Sequence, residues 1–276
     1  MSNYSIGFIG GGNMAASIIG GLINDGFPAT NISVAEPNDD ARSQLAASFG
    51  IRTEIDNTII ANDVDVLLLA VKPQVMKNVT QHIASVVQAK QPLIISIAAG
   101  IRSDDLSNWL GGNVAVVRSM PNTPALVQSG AAGLFANANV SSSQKEQAES
   151  ILRAVGITVW LENEQLIDAV TALSGSGPAY IFYVIEAMEN AGMELGLKAN
   201  IARRLAVQTA FGAAKLALES ADDPALLRQK VTSPGGTTER ALDELRNGDL
   251  EGLFMKALQA ANDRAAELAD QLANGD

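Results

Sequence analysis

The sequence predicts an α/β fold: a doubly wound, mostly parallel sheet covered by helices on both faces, followed by an all-helical domain. Three observations carry that reading. As far as Glu162, short apolar runs alternate with stretches of helical spacing. The run Val64–Val71 (VDVLLLAV) has the character of a strand buried on both faces, as strands of a parallel sheet do. Beyond Glu162 the segments take helical spacing, and none has a convincing strand pattern. A chain of 276 residues, at roughly 150 per domain, has room for two. The boundaries read here are 1–162 for the sheet domain and 163–276 for the helical one.

In chain order, Tyr4–Gly10 opens as a short apolar strand and Asn13–Asn24 follows as a helix. Asn31–Glu36 is a second strand, and Asp40–Phe49 an amphipathic helix. Val64–Val71, Leu93–Ala99 and Val114–Arg118 are further strands, with helices at Gln74–Val87 and Asp104–Leu110 between them. Ser141–Val155 reads as one more helix and Gly156–Leu161 as one more strand. Crossovers of this kind are right-handed. Helices follow at Glu164–Leu173, Pro178–Leu195, Ile201–Leu218, Pro224–Lys230, Glu239–Arg246 and Leu250–Leu272. The one from Pro178 is apolar nearly all round (Ile181, Phe182, Val184, Ile185, Ala187, Met188, Ala191). Such a helix needs cover on several sides, and so small a domain cannot enclose it. A partner subunit is the expected cover.

Composition excludes several classes. Hydrophobic residues at 47% and charged residues at 18% provide a core and exclude disorder. A net charge of −11 gains nothing from counterion release on nucleic acid and is repelled by anionic membranes. With no cysteine there are no disulfides, thiolate nucleophiles, iron–sulfur clusters or sulfur-based zinc sites. The single histidine, His82, cannot form a metal-binding cluster and reads as a surface or packing residue; no metal is expected. The longest uncharged apolar run, near Leu93–Ile101, is far short of the ~20 residues of a membrane span. Met1–Ser5 carries no basic leader, so no signal or transit peptide is expected, and the cytoplasm is the expected location.

The first strand runs into Gly10-Gly11-Gly12-Asn13-Met14-Ala15, which is G-x-G-x-x-A between a strand and a helix. The first glycine permits the tight turn, the second lets the backbone approach a pyrophosphate, and Ala15 lets helix and strand pack closely. The helix start offers N–H groups and a partial positive charge to phosphates. Glu36 ends the second strand, where an acid hydrogen-bonds an adenosine ribose and repels a 2′-phosphate. Asn38 and Arg42 lie a few residues on and offer a phosphate an alternative, so NADH and NADPH both stay open. Ala70-Val71-Lys72-Pro73 and Ile97-Ala98-Ala99-Gly100 are the next strand ends, small enough for a flat cofactor to lie along the backbone; ordinary turn chemistry explains them equally well.

Three later segments are unusual for a scaffold. Met120-Pro121-Asn122-Thr123-Pro124 is a loop stiffened by two prolines. Ser174-Gly175-Ser176-Gly177-Pro178-Ala179-Tyr180 joins two helices with nothing larger than serine before Pro178, as close approach of a ligand requires. In Thr232-Ser233-Pro234-Gly235-Gly236-Thr237-Thr238-Glu239, Ser233 reads as an N-cap and Pro234 as the first helical residue. Two glycines in that first turn cost up to ~1 kcal/mol each against alanine and leave bare N–H groups for a carboxylate or phosphate.

Together these residues resemble pyrroline-5-carboxylate reductase. The resemblance spans the chain and rests on GFIGGGNMA at Gly7–Ala15, AVKPQ at Ala70–Gln74 and SIAAGI at Ser96–Ile101, then on RSMPNTP at Arg118–Pro124, IDAVTALSGSGPAY at Ile167–Tyr180 and TSPGGTT at Thr232–Thr238. It implies a Rossmann-like domain and an all-helical domain that interlocks two subunits into a homodimer with a shared active site, five dimers forming a decameric ring. It implies hydride transfer from NADPH or NADH to C5 of (S)-1-pyrroline-5-carboxylate, giving L-proline. Carried over residue by residue, Thr238 is the catalytic residue, its hydroxyl near the ring nitrogen. Backbone groups around Ser233, Gly236 and Thr237 hold the substrate carboxylate, with Ser176 nearby. Glu164 matches an acid that approaches the ring, although a carboxylate at a helix start is also what the dipole favours. Gly7, Phe8, Ile9, Gly10, Gly11, Gly12, Asn13 and Met14 match the cofactor site, as do Glu36, Asn57, Ala70, Val71, Lys72, Pro73, Ile97, Ala98, Ala99 and Asn122. Two departures stand out. Some relatives carry Ser or Arg in place of Glu36, and some carry Asn in place of Lys230, which reaches either cofactor phosphates or solvent.

Two rivals are weighed against this. A β-hydroxy-acid dehydrogenase needs a catalytic lysine in the helical domain, and neither Lys198 nor Lys215 sits near a glycine-rich loop. A non-catalytic dinucleotide sensor needs the N-terminal glycines but not the TSPGGTT loop.

Overall fold

A computed structural model describes residues 4–274. Met1–Asn3, on which part of the leader reading rests, lie outside the described residues, as do the last two residues of the expected helical domain. By packing, the chain forms two compact units: one runs up to Gly175 and takes in the chain again from Ala261, the other is Ser176–Ala260. The boundary read at 162 from strand content falls inside the first of these.

The first unit is built on an eight-stranded sheet, ordered β3-β2-β1-β4-β5-β6-β7-β8. Strands β1 (Ile6–Ile9), β2 (Ile32–Ala35), β4 (Val66–Leu69) and β5 (Leu93–Ser96) are buried at every residue, the outcome of short runs rich in Ile, Leu and Val covered on both faces. Helices α1 (Asn13–Asn24), α2 (Asp39–Phe49), α3 (Asn57–Asp63), α4 (Pro73–Lys90) and α5 (Ser103–Trp109) make the crossovers. One core cluster gathers Phe8, Ile18, Val34 and Leu68; the other gathers Ile60, Leu67, Ile83 and Ile94. β1 lies between β2 and β4, all parallel. The strand order therefore reverses at β1 and β4, and the crevice beyond their carboxyl ends is where such sheets bind ligands.

Strand β3 (Arg52–Glu54), helix α3 and strand β7 (Gly130–Ala136) are absent from the sequence reading. β3 is too short and too polar to show alternation. β7 is mostly glycine and alanine, which are poor strand formers. It runs antiparallel to β6 (Val116–Met120) and parallel to β8 (Gly156–Trp160). Close approach explains its composition: a Cβ on Gly133 would come within 2.9 Å of the Val170 side chain. At the head of β8, a Cβ on Gly156 would lie 2.0 Å from the Gly130 carbonyl oxygen. Helix α6 (Ser142–Arg153) starts on a capping box, Ser141 Oγ accepting from Gln144 N and Gln144 Oε1 from Ser141 N. After β8, α7 (Leu166–Val170) passes into a π-turn over Thr171–Gly175, where the sequence reads one continuous helix.

The second unit contains α8 (Gly177–Glu194), α9 (Ala199–Glu219), α10 (Pro224–Lys230), α11 (Thr237–Asn247) and the start of α12 (Leu250–Asn274). No side chain of α8 is buried, and α9 buries only Ala202 and Ala206. The two helices cross closely where a Cβ on Gly192 would meet the Ala202 methyl at 3.3 Å. Among the described residues no helix is long and apolar enough to cross a membrane.

Candidate active site

The glycine loop follows β1. Gly10 turns the chain at φ 95, a conformation that excludes ordinary side chains, and a Cβ there would lie 2.8 Å from the Ala70 carbonyl oxygen. Its N–H donates to Ala35 O at 2.8 Å, and Ala70 N donates to Ile9 O at 2.8 Å. The ends of β1, β2 and β4 are thereby drawn together. Gly12 is different in kind: a Cβ there meets nothing within 4 Å. It is the N-cap of α1, no side chain caps that helix, and no acid stands in its first turn. An open approach, small residues and an uncapped helix start are what a pyrophosphate needs, so a dinucleotide fits the residues present. Asn13 is exposed and Met14 half-buried at the same edge. Gly7, Phe8 and Ile9 are interior: Phe8 is 0% and Ile9 1% exposed. The Phe8 and Ile9 side chains fix the strand beneath the loop and form no part of its surface.

Glu36 follows β2, and its carboxylate closes on the loop. Oε2 accepts from Gly11 N at 2.8 Å and Oε1 from Asn38 N at 3.0 Å. Asn38 caps α2, its Oδ1 accepting from Ala41 N at 2.8 Å. Arg42 donates to the Glu36 carbonyl at 2.7 Å and pairs with Asp39. Arg42 is therefore already engaged, and Asn38 spends its N–H and Oδ1 within the turn. Asn57 opens α3 beyond the end of β3. Lys72 is exposed at the N-cap of α4, and Pro73 occupies that helix's first turn. Ile97 N donates to Leu69 O at 3.2 Å, Ala98 is buried and Ala99 exposed, so the β5 end lines up beside that of β4.

Asn122 is placed differently from the sequence expectation. Its Nδ2 donates to Ser174 O at 2.9 Å and its Oδ1 accepts from Ala131 N at 2.9 Å. Both ends of the amide are used to tie the loop after β6 to β7 and to the π-turn. Glu164 is also held from within its own unit. Ser103 donates to it from N at 2.7 Å and from Oγ at 2.6 Å, and Arg118 Nη1 lies 3.2 Å from Oε1. Arg118, on β6, is 3% exposed and lies 3.9 Å from Asp168 on its other side. Burial raises the pKa of Asp168, against the pull of Arg118 and Arg102. Burial likewise raises that of Asp105, opposed by Arg102. This buried network escapes the sequence reading; its only signal is an arginine inside the apolar strand VVRSM.

In the second unit, helix α11 begins at Thr237 with Gly236 as N-cap, not with Ser233 as cap and Pro234 in the first turn. The preceding residues form a turn instead. Gly236 N donates to Ser233 O at 3.0 Å, Gly235 adopts φ 72, and Gly235 N donates to Glu239 Oε2 at 2.7 Å. The N–H of Gly236 is therefore spent within the turn, which corrects its expected part in holding a carboxylate. The helix start itself has no side-chain cap, and Thr237 and Thr238 are exposed there. Ser176 is the half-buried N-cap of α8, without a side-chain capping bond. Lys230 is paired with Asp222. His82 is exposed, 3.8 Å from Asp56. Among the described residues no group of three or more His, Cys, Asp or Glu is placed to hold a metal ion. Glu164 and the cofactor-side residues belong to the first unit, and Ser176, Ser233, Gly236, Thr237 and Thr238 to the second.

Comparison with known proteins covers both units. Residues 164–268 match a family described as pyrroline-5-carboxylate reductase dimerisation, and residues 5–100 one described as NADP oxidoreductase, coenzyme F420-dependent. The chain is 52% identical to a pyrroline-5-carboxylate reductase of Pseudomonas aeruginosa, over 99% of each chain. It is 43% identical to one from Pasteurella multocida, over 97% of this chain and 98% of that one. A solved pyrroline-5-carboxylate reductase of Coxiella burnetii superposes with a TM-score of 0.94 at 46% identity, covering 97% of this chain and 99% of the other. A Plasmodium falciparum pyrroline carboxylate reductase with NADP bound gives 0.85 at 29% identity, over 98% of this chain and 99% of that one.

Proposed function

The chain belongs to the pyrroline-5-carboxylate reductase family, and from that premise we propose how its own residues carry the reaction. It is an NAD(P)H-dependent oxidoreductase acting on the C=N bond of pyrroline-5-carboxylate, the final step of proline biosynthesis. A bound NAD(P)H would supply the hydride for C5 of the cyclic imine and become NAD(P)+, with the ring nitrogen entering already protonated from solvent, so that the product is L-proline. The observation that carries this reading is the glycine loop at the sheet's switch point, where Gly12 faces open space at an uncapped helix start.

In this reading Gly10–Met14 hold the pyrophosphate, resting on Gly7, Phe8 and Ile9 beneath. Glu36 and Asn57 serve the adenosine side. Ala70, Val71, Lys72 and Pro73, with Ile97, Ala98 and Ala99, border the nicotinamide half; Asn122 fixes the adjoining loop. The first-turn N–H groups of Thr237 and Thr238, with Ser233 alongside, grip the substrate carboxylate beside Ser176. The Thr238 hydroxyl hydrogen-bonds the ring nitrogen. An imine carbon accepts hydride more readily when its nitrogen is protonated or hydrogen-bonded, and a hydroxyl fixed in advance is effective there. Glu164 already accepts from Ser103 and Arg118, so it orients the ring and does not move a proton. The protein's share is orientation and a polar partner for nitrogen.

Residues 163–276 are read as the dimerisation and substrate domain and 1–162 as the dinucleotide domain. Two copies share each active site, and five dimers form a decamer in the cytoplasm. The exposed apolar side chains of α8 support the dimer.

The test mixes the protein with pyrroline-5-carboxylate and NADH or NADPH and follows loss of the reduced-cofactor absorbance together with proline formation. Coupled loss and formation are expected. A folded protein that turns over with neither cofactor overturns the reading.

A further inference from the structure

We propose that this chain prefers NADH over NADPH, and that the Glu36 carboxylate, locked onto the glycine loop, sets the preference. This rests on the reductase reading above and adds which cofactor its residues take.

The residue after β2 is the one that meets the adenosine ribose in a sheet of this topology. Here it is a carboxylate that does not swing in solvent. Gly11 N holds one oxygen at 2.8 Å and Asn38 N the other at 3.0 Å. A carboxylate oxygen accepts about two hydrogen bonds, so each retains a lone pair for a ribose hydroxyl. A phosphate on the 2′ position brings about −1.5 to −2 charges to the same place.

Among the described residues, the nearby cation in sequence, Arg42, is already engaged. Its side chain is 14% exposed. One guanidinium nitrogen donates to the Glu36 carbonyl, and another pairs with Asp39. Asp39 and Asp40 stand in the first turn of α2, and Asn38 caps it. The nearby helix start is therefore closed to an anion as well. Three acidic residues, Glu36, Asp39 and Asp40, lie within six positions of Arg42, whose guanidinium is already paired. A ribose diol suits such a rim, and a phosphate monoester does not.

The test is equilibrium binding without substrate, read by calorimetry and by quenching of Trp109 and Trp160 fluorescence, with NADH and NADPH titrated separately. Wild-type protein is expected to bind NADH at least about tenfold more tightly, a separation of roughly 1.4 kcal/mol. The gap should shrink with added salt, because part of it is charge repulsion. Glu36→Gln is expected to bring the ratio to within about threefold, mainly by tightening NADPH. Asp39→Asn releases Arg42 without touching the glycine loop and is expected to tighten NADPH alone. Equal or tighter NADPH binding by wild type overturns the proposal, as does an unchanged ratio in Glu36→Gln. Should Glu36→Gln bind neither cofactor, an unmoved ratio in Asp39→Asn overturns it. Turnover of pyrroline-5-carboxylate equally well with both cofactors refutes the preference and leaves the reductase reading standing. Preferential NADH binding with no turnover does the reverse.

Discussion

Helices α1 and α8 are both rich in apolar residues and meet opposite fates. α1 lies in the sheet unit and buries Ala15, Ile18, Ile19, Gly21 and Leu22. α8 lies in the helical unit and buries no side chain: Ile181 is 52%, Phe182 65% and Tyr183 73% exposed. Composition alone does not separate them; what lies opposite does. The sheet gives α1 a complete neighbour within its own chain. The helical unit surrounds α8 with too little and leaves its apolar surface exposed, which the proposed dimer would cover. One part of the molecule finishes its core by itself, and on that proposal the other finishes it by association.

The contrast breaks most sharply under paired substitutions. Phe8→Ala, in the completed core, is expected to cost about 3–5 kcal/mol of stability. Chemical denaturation should show that loss unchanged by dilution. Phe182→Asp, on the unfinished face, is expected to weaken dimerisation by about 2–4 kcal/mol, as loss of an aromatic anchor does. Sedimentation should then show monomers, activity should fall with dilution, and cofactor binding should survive. A Phe182 variant that sediments as a folded monomer and keeps full activity removes the shared-site picture.

A finer probe is Thr238→Ala. It is expected to lower kcat more than it raises KM, because the bond to nitrogen strengthens as the amine forms. The loss should be about 1–3 kcal/mol in transition-state stabilisation, read from steady-state kinetics. Unaltered kinetics would take Thr238 out of the mechanism.

The smallest effect concerns the sheet unit's own buried charges. Burial raises the folded-state pKa of Asp168 above its ordinary 3.8. The stability this group contributes is thus fully present below that value and is lost as pH rises through the folded pKa. Asp168→Asn is therefore expected to be more stable than wild type at neutral pH by about a few tenths of a kcal/mol, since Arg118 offsets part of the burial. The gain should vanish near pH 3.5 in thermal melts; a gain that grows on acidification contradicts the sign.

Much of this was readable beforehand, for reasons that can be named. β1, β2, β4 and β5 declare themselves because strands buried on both faces are short runs of apolar residues. β7 does not, because its glycines and alanines answer to the nearness of Val170 and not to strand propensity. The glycine loop was legible since its constraints are local, a turn followed by a helix start. The start of α11 was misplaced by local signals that compete. Ser233-Pro234 reads as a cap, yet Gly235 turns the chain and Glu239 reaches back to it. Glu164 and Asn122 could not be placed from sequence, because Ser103 and Arg118, like Ser174, meet them only through the topology of the sheet.

Gly12 and Gly156 are the same letter held for unrelated reasons. At 156 the neighbouring strand's carbonyl oxygen occupies the space of any side chain. At 12 no neighbouring atom lies within 4 Å of such a side chain's Cβ, and on the proposed reading the constraint there would come from the pyrophosphate. A descendant that kept this architecture but abandoned its nucleotide would be free to drift at Gly12 and never at Gly156. Folding and chemistry thus write their demands in one alphabet, and only the surroundings of each glycine tell which of them is speaking.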